Sequence, residues 1–157
     1  MTPPKGLPVF LDTNVFLRHN IVETPEHVAV RAAIERLIND ECILWISWQV
    51  VREFAVVLTR PQTFAKPLTT TEVAAQLKRL LPLFQVANET ARVAANLLTL
   101  MEQHPMGGKQ IHDANIVATM QAYGITHLFT LNPADFVRFS ELITVITLEE
   151  LPKKDSG

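Results

Sequence analysis

The sequence predicts an α/β fold: a central, mainly parallel sheet of four to five strands between two layers of helices, a three-layer α/β/α sandwich. Three observations carry that prediction. Short continuous apolar runs, Val9-Phe10-Leu11 first among them, have the composition of strands buried on both faces. Each run is followed by a segment bearing helix start and stop signals. Strands that alternate with helices pair in parallel through right-handed crossovers, which covers both faces and gathers the strands' carboxyl ends at one rim.

The first strand stops at Asp12, a carboxylate where open α/β sheets place their ligands, although Asp12, Thr13 and Asn14 serve equally well as helix caps. Val15 to Arg18 fits one or two helical turns. Thr24-Pro25-Glu26 combines a cap, a first-turn Pro and an acid at the positive dipole end, so a helix is expected to about Asn39. Val28, Ala32, Leu37 and Ile38 approximate its buried stripe. Cys42 to Ile46 is a second strand, and Ser47 caps a helix from Trp48 to about Leu58 with Glu53 about two turns in; Thr59-Arg60-Pro61 ends it. Thr69 with Glu72 has the capping-box spacing for a helix reaching Leu81 before Pro82.

Leu83 to Val86 is a third strand, and Asn88-Glu89 supplies the cap and first-turn acid of a helix to about Gln103. His104-Pro105-Met106-Gly107-Gly108 breaks the chain. A helix from about Ile111 to Tyr123 then carries Asp113 and stops at a left-handed Gly124. His127 to Thr130 is a fourth strand, Asn132 to Phe136 a turn, and Ile143 to Thr147 a last strand; from Pro152 the polar tail is expected to fray.

A chain of 157 residues is expected to form one domain, with its core at about 9–147. With 48% hydrophobic and 19% charged residues it can bury enough apolar surface to offset ordering entropy, which excludes a disordered segment. No apolar stretch approaches the roughly 20 residues that span a bilayer, and the short run after Lys5 lacks the features of a secretory signal, so the expectation is a cytoplasmic protein without membrane contact. Cys42, the one cysteine, reads as a small buried filler. A net charge of −2 excludes a generally basic, nucleic-acid-coating surface and leaves any such contact local.

On this layout Asp12, Glu53 and Asp113 meet at one rim, each beside apolar neighbours that make an isolated carboxylate costly. Crowded carboxylates are relieved by a divalent cation, and an all-oxygen shell favours Mg²⁺ or Mn²⁺ over Zn²⁺. Such a cation supports hydrolytic phosphoryl chemistry. The three carboxyl groups are therefore expected within reach of one ion or its waters, allowing for side-chain rearrangement.

Leu11-Asp12-Thr13-Asn14-Val15-Phe16-Leu17, Ser47 with Glu53, Ile111-His112-Asp113-Ala114-Asn115-Ile116-Val117-Ala118, and Leu128-Phe129-Thr130-Leu131-Asn132-Pro133-Ala134-Asp135-Phe136 occur in an order that resembles PIN-domain ribonucleases, in particular VapC-type toxins. The resemblance implies a Mg²⁺- or Mn²⁺-dependent endoribonuclease cutting structured RNA of the tRNA or rRNA class. It also implies a homodimer and a small antitoxin that covers the site. Asp12, Glu53 and Asp113 match the principal acids; at the fourth position stands Asn132, so either Asp135 contributes or an amide takes the place of the acid. Thr13, Asn14, Ser47 and Thr130 would orient ligands or water from behind. Arg18, Arg52 and Lys109 are the cations that could hold an RNA backbone, His112 is expected to pack or cap, and Trp45 and Trp48 are expected in the core or an interface.

Two other α/β classes fail on their motifs. A response-regulator receiver needs paired acids after its first strand and a late Lys, where this chain has Thr13-Asn14 and Thr130-Leu131-Asn132; a haloacid-dehalogenase phosphatase needs an acid at Asn14. The remaining alternative is a PIN-like RNA- or protein-binding module whose catalysis is weakened by Asn132.

Overall fold

The computed structural model describes residues 5–62 and 65–151, so the tail from Pro152 lies outside the described residues. Five parallel strands form one sheet: β1 (Pro8–Leu11), β2 (Ile43–Ser47), β3 (Gln85–Ala87), β4 (His127–Phe129) and β5 (Thr144–Ile146), in the order β3-β2-β1-β4-β5. β1 is central, with Phe10 opposite Trp45 on one side and Leu128 on the other. Val9, Phe10 and Leu11 are completely buried, as a strand covered on both faces requires. From β1 the chain builds outward through β2 and β3, then returns to build the other half through β4 and β5. The topological switch point therefore lies between β1 and β4, and the crevice beyond their carboxyl ends is where such sheets place a ligand.

Among the described residues six helices cover the sheet: α1 (Thr13–Asn20), α2 (His27–Asn39), α3 (Trp48–Thr59), α4 (Thr70–Leu80), α5 (Ala91–Gln103) and α6 (Gln110–Ala122). α1 packs on α2 and α3, α3 packs on α4, and α5 runs against α6. Right-handed crossovers put α1–α4 on one face, and the reversed direction of the β3-to-β4 connection puts α5 and α6 on the other. Phe16 of α1 lies edge-on to Phe54 of α3 and to Phe84, at centroid distances of 4.9 and 5.4 Å, and so joins the first helical layer to the sheet. Among the described residues no helix is long and apolar enough to cross a membrane.

Several local expectations are corrected. α2 begins at His27 without a side-chain cap, because the Thr24 hydroxyl donates to the Ile21 carbonyl (2.7 Å) and closes the preceding turn instead. His27 is itself buried and donates from Nδ1 to the Arg18 carbonyl (2.7 Å), which sets the phase of the helix. The buried stripe is consequently Val30, Ala33, Ile34 and Leu37, while Val28 and Ile38 stand 72% and 54% exposed. Pro82 folds into a 3-10 turn, Leu81–Leu83, which delays β3 to Gln85. Thr90 caps α5 in place of Asn88, leaving Asn88 and Glu89 for longer-range contacts.

The capping box of α4 is formed in both directions, Glu72 N–H donating to Thr69 Oγ1 and Thr69 N–H to Glu72 Oε1, each at 3.2 Å. Thr69→Ala removes the hydroxyl acceptor and is expected to cost about 1 kcal/mol, roughly 2–4 °C in melting temperature for a domain of this size. Circular-dichroism melting checks this; an unchanged midpoint would mean that the box stabilises nothing beyond α4 itself.

Candidate active site

Asp12 leaves β1 at the switch point, and its backbone N–H still donates to the Phe129 carbonyl (3.0 Å). Its carboxylate performs both roles that the sequence left open. Oδ1 accepts from Thr13 N–H (2.8 Å) and caps α1; Oδ2 accepts from the fully buried Thr130 hydroxyl at the end of β4 (2.8 Å) and from Asn14 Nδ2 (3.4 Å). Only 7% of Asp12 is exposed. Burial pushes its pKa from 3.8 to about 6, against the lowering effect of those hydrogen bonds and with added repulsion from Glu53 and Asp135.

Glu53 arrives from the second turn of α3. Oε2 accepts from the Thr13 hydroxyl, and Oε1 accepts from Gln49 Nε2 at 3.1 Å. Asp113 stands in the first turn of α6, half-buried. Burial first, then repulsion from Asp12, Asp135 and Glu53, pushes its pKa from 3.8 to about 7, and Arg138 offsets part of this. Asp135 lies in a 3-10 turn, Pro133–Phe139, exposed but near enough to repel both Asp12 and Asp113. Four acids from four separate elements thus gather at the rim beyond β1 and β4, with Glu53 and Asp135 each near enough to act on Asp12 and Asp113.

Asn14 ties this corner together, with Nδ2 toward Asp12 and Thr130 Oγ1 (3.5 Å) and Oδ1 accepting from Leu131 N–H (3.2 Å). Asn132 is exposed and contributes its backbone N–H to Thr130 Oγ1 (3.1 Å), so the negative charge near the fourth position comes from Asp135. Ser47 is spent on capping α3, accepting from Val50 N–H at 3.4 Å.

The predicted RNA-facing cations are partnered differently. Arg18 donates to Glu26 (2.7 Å) and holds that carboxyl below its usual range, and Arg52 meets both oxygens of Glu89 (3.0 and 3.2 Å). Lys109 is exposed just before α6. His112 is exposed rather than packed: its position in the first turn of α6 turns the ring outward while its carbonyl faces Gln49. Trp45 packs against Tyr123, and Trp48, 39% exposed, is fixed by its indole N–H to Asn88 Oδ1 (2.8 Å).

Among the described residues no three acidic, imidazole or thiol side chains are already closed into a cation cage. Joint coordination of one ion therefore requires the side-chain rearrangement expected from sequence, with Glu53 starting from its hydrogen bonds to Thr13 and Gln49. Three contributors were not singled out from sequence. Gln49 and Asn115 bridge α3 and α6, and Arg138 is the cation that acts on Asp113. The i, i+4 spacing of Gln49 and Glu53 was the available signal for the first.

The family model for the PIN domain matches residues 9–142 of this chain. No curated protein sequence matches it significantly. Among solved structures, VapBC2 from Rickettsia felis bound to a promoter DNA fragment is similar with a TM-score of 0.65 at 16% identity, covering 90% of this chain and 98% of that one. FitAcB from Neisseria gonorrhoeae gives a TM-score of 0.63 at 21% identity, covering 91% and 99%. VapC20 from Mycobacterium tuberculosis, described as a sarcin-ricin loop cleaving toxin, gives 0.57 at 20% identity, covering 76% and 86%.

Proposed function

The chain belongs to the PIN-domain family, and on that premise we propose that it is a Mg²⁺- or Mn²⁺-dependent endoribonuclease. It hydrolyses phosphodiester bonds of structured RNA, of the tRNA or rRNA class, as the toxin of a toxin–antitoxin pair. The observation that supports this reading is geometric: Asp12, Glu53, Asp113 and Asp135 reach the switch-point rim from the end of β1, from α3, from α6 and from the turn after β4. Burial first, and the neighbouring acids after it, push Asp12 and Asp113 toward neutrality. Their donors are all oxygen, which fits a hard divalent cation in charge and in chemistry.

Asp12, Glu53 and Asp113 would hold the ion, with Asp135 at its outer edge. When bound, the cation polarises the scissile phosphodiester, lowers the pKa of the attacking water and stabilises the leaving oxyanion. The chain's own residues set up that event. Thr130 and Asn14 fix the Asp12 carboxylate from beneath, and Thr13 fixes Glu53 from α1. Asp113 and Asp12 present carboxylate oxygens that orient the attacking water and accept its proton. Arg138, beside Asp113, supplies positive charge for the RNA backbone.

Exposed Val28 and Ile38 on α2, and the apolar groove lined by Ala55, Val56, Val73 and Leu77 between α3 and α4, support contact with an antitoxin or a second copy. The test of the activity is total RNA incubated with the protein and Mn²⁺, then with EDTA, for the wild type and Asp12→Asn. Discrete cleavage that EDTA and the substitution both abolish is expected. Unchanged RNA profiles across tRNA, rRNA and mRNA would favour a binding module.

A further inference from the structure

Gln49 is buried between α3 and α6, only 4% exposed, and its amide is committed at both ends. Nε2 donates to Glu53 Oε1 (3.1 Å) and to the His112 carbonyl (2.9 Å), while Oε1 accepts from Asn115 Nδ2 (2.7 Å). The orientation of the amide follows from its partners: reversed, its oxygen would face a carboxylate and a carbonyl, both acceptors. Asn115 in turn reaches Glu89 Oε1 (3.4 Å), which is held by Arg52. A continuous polar chain therefore runs from the exposed Arg52–Glu89 pair through Asn115 and Gln49 to Glu53.

We propose that Gln49 is a positioning residue for Glu53, one that sets the affinity of the acidic rim for a divalent cation; this rests on the metal-dependent reading above. Three features carry it. Glu53 has two oxygens, and Thr13 from α1 and Gln49 from its own helix each claim one, so the orientation of the carboxylate is fixed by two elements. Gln49 also anchors to the backbone of His112, the residue before Asp113, so one amide locks the approach of α3 to the helix that carries the other acid. And Gln49 is a buried polar side chain with no packing advantage over Leu or Met; its hydrogen bonds are its use. Partners that orient metal-binding side chains are typically worth 10- to 100-fold in metal affinity.

The test is calorimetric titration with Mn²⁺ on wild type and Gln49→Met, which keeps the volume and removes the amide, together with RNA cleavage across a range of Mn²⁺ concentrations. The expected result is a Mn²⁺ dissociation constant weakened about 10- to 100-fold at unchanged stoichiometry. Excess Mn²⁺ should then restore kcat, with KM for RNA unaltered. A purely structural role would lower the fraction of competent protein, seen as reduced stoichiometry and a kcat that excess Mn²⁺ does not recover, and that outcome overturns the proposal, as does an unchanged dissociation constant. Should Gln49→Met fail to fold, Asn115→Ala, at a half-buried position, releases the same amide and must weaken Mn²⁺ binding in the same way, or the proposal falls. A wild type that takes up no Mn²⁺ refutes the nuclease reading itself, and this inference with it.

Discussion

Asp113→Asn is expected to be at once inactive and more stable than the wild type when no metal is present. The carboxyl group sits at about 7 instead of 3.8 because it is half-buried and faces Asp12, Asp135 and Glu53. At pH 8 it is ionised in both the folded and the unfolded chain, and the folded chain alone bears the repulsion. Asn keeps the size and removes the charge. Discounted for partial exposure, the relief amounts to about 1–2 kcal/mol, or roughly 2–8 °C in melting temperature. The same change removes a cation ligand, and metal stabilisation of a phosphoryl transition state is worth several kcal/mol, so cleavage should fall roughly 10³-fold. Asp12→Asn should gain less stability for an equal loss of cleavage, because Asp12 also caps α1 and accepts from Thr130. A less stable, inactive Asp113→Asn would show that the acid holds the fold together; a stable, active one would move the chemistry elsewhere. Differential scanning calorimetry in EDTA and a cleavage assay decide between them.

The opposed demands on these acids explain which features the sequence made legible. The β1 run ending at Asp12, the Ser47 cap before α3 and the box at Thr69 are local signals, and each appears where its chemistry predicts. Acids in apolar company at Asp12, Glu53 and Asp113 are equally conspicuous, because such residues fit poorly as simple surface or core, and the structure brings them to one rim. What stayed hidden depends on phase and on distance along the chain. The stripe of α2 shifted because His27 is anchored to the Arg18 carbonyl across a turn, which no periodicity count contains. Glu89 looked like a first-turn acid and turned out to be the partner of Arg52, since Thr90 took over the cap. The bridge from Gln49 to Asn115 spans 66 positions and joins two polar residues that no local pattern relates. Arg138 influences Asp113 only because the turn after β4 folds back over α6.

The stability of the metal-free protein should rise as the pH is lowered from 8 toward 6.5, opposite to a protein whose carboxylates are salt-bridged. Asp12 and Asp113 titrate near 6 and 7 in the folded chain and near 3.8 in the unfolded one. Below about pH 7 the folded state therefore keeps protons that the unfolded state has released, and linkage makes it more stable as the pH falls. Above pH 7 the full penalty of both charges is present. His19 and His127 work in the other direction, since burial lowers their pKa values beneath 6.5 and unfolding lets them take up protons in more acidic solution. They confine the clean window to the range above about 6.5. Subtracting the Asp113→Asn curve isolates the acids further: the advantage of the variant in EDTA should be largest at pH 8 and shrink as Asp113 in the wild type is neutralised. Saturating Mn²⁺ should invert the wild-type slope, because protons compete with the cation for the same oxygens and its stabilisation grows with pH. Parallel melting curves for wild type and Asp113→Asn across this range would mean that the rim carries no such strain, and would leave the cation without the repulsion that draws it there.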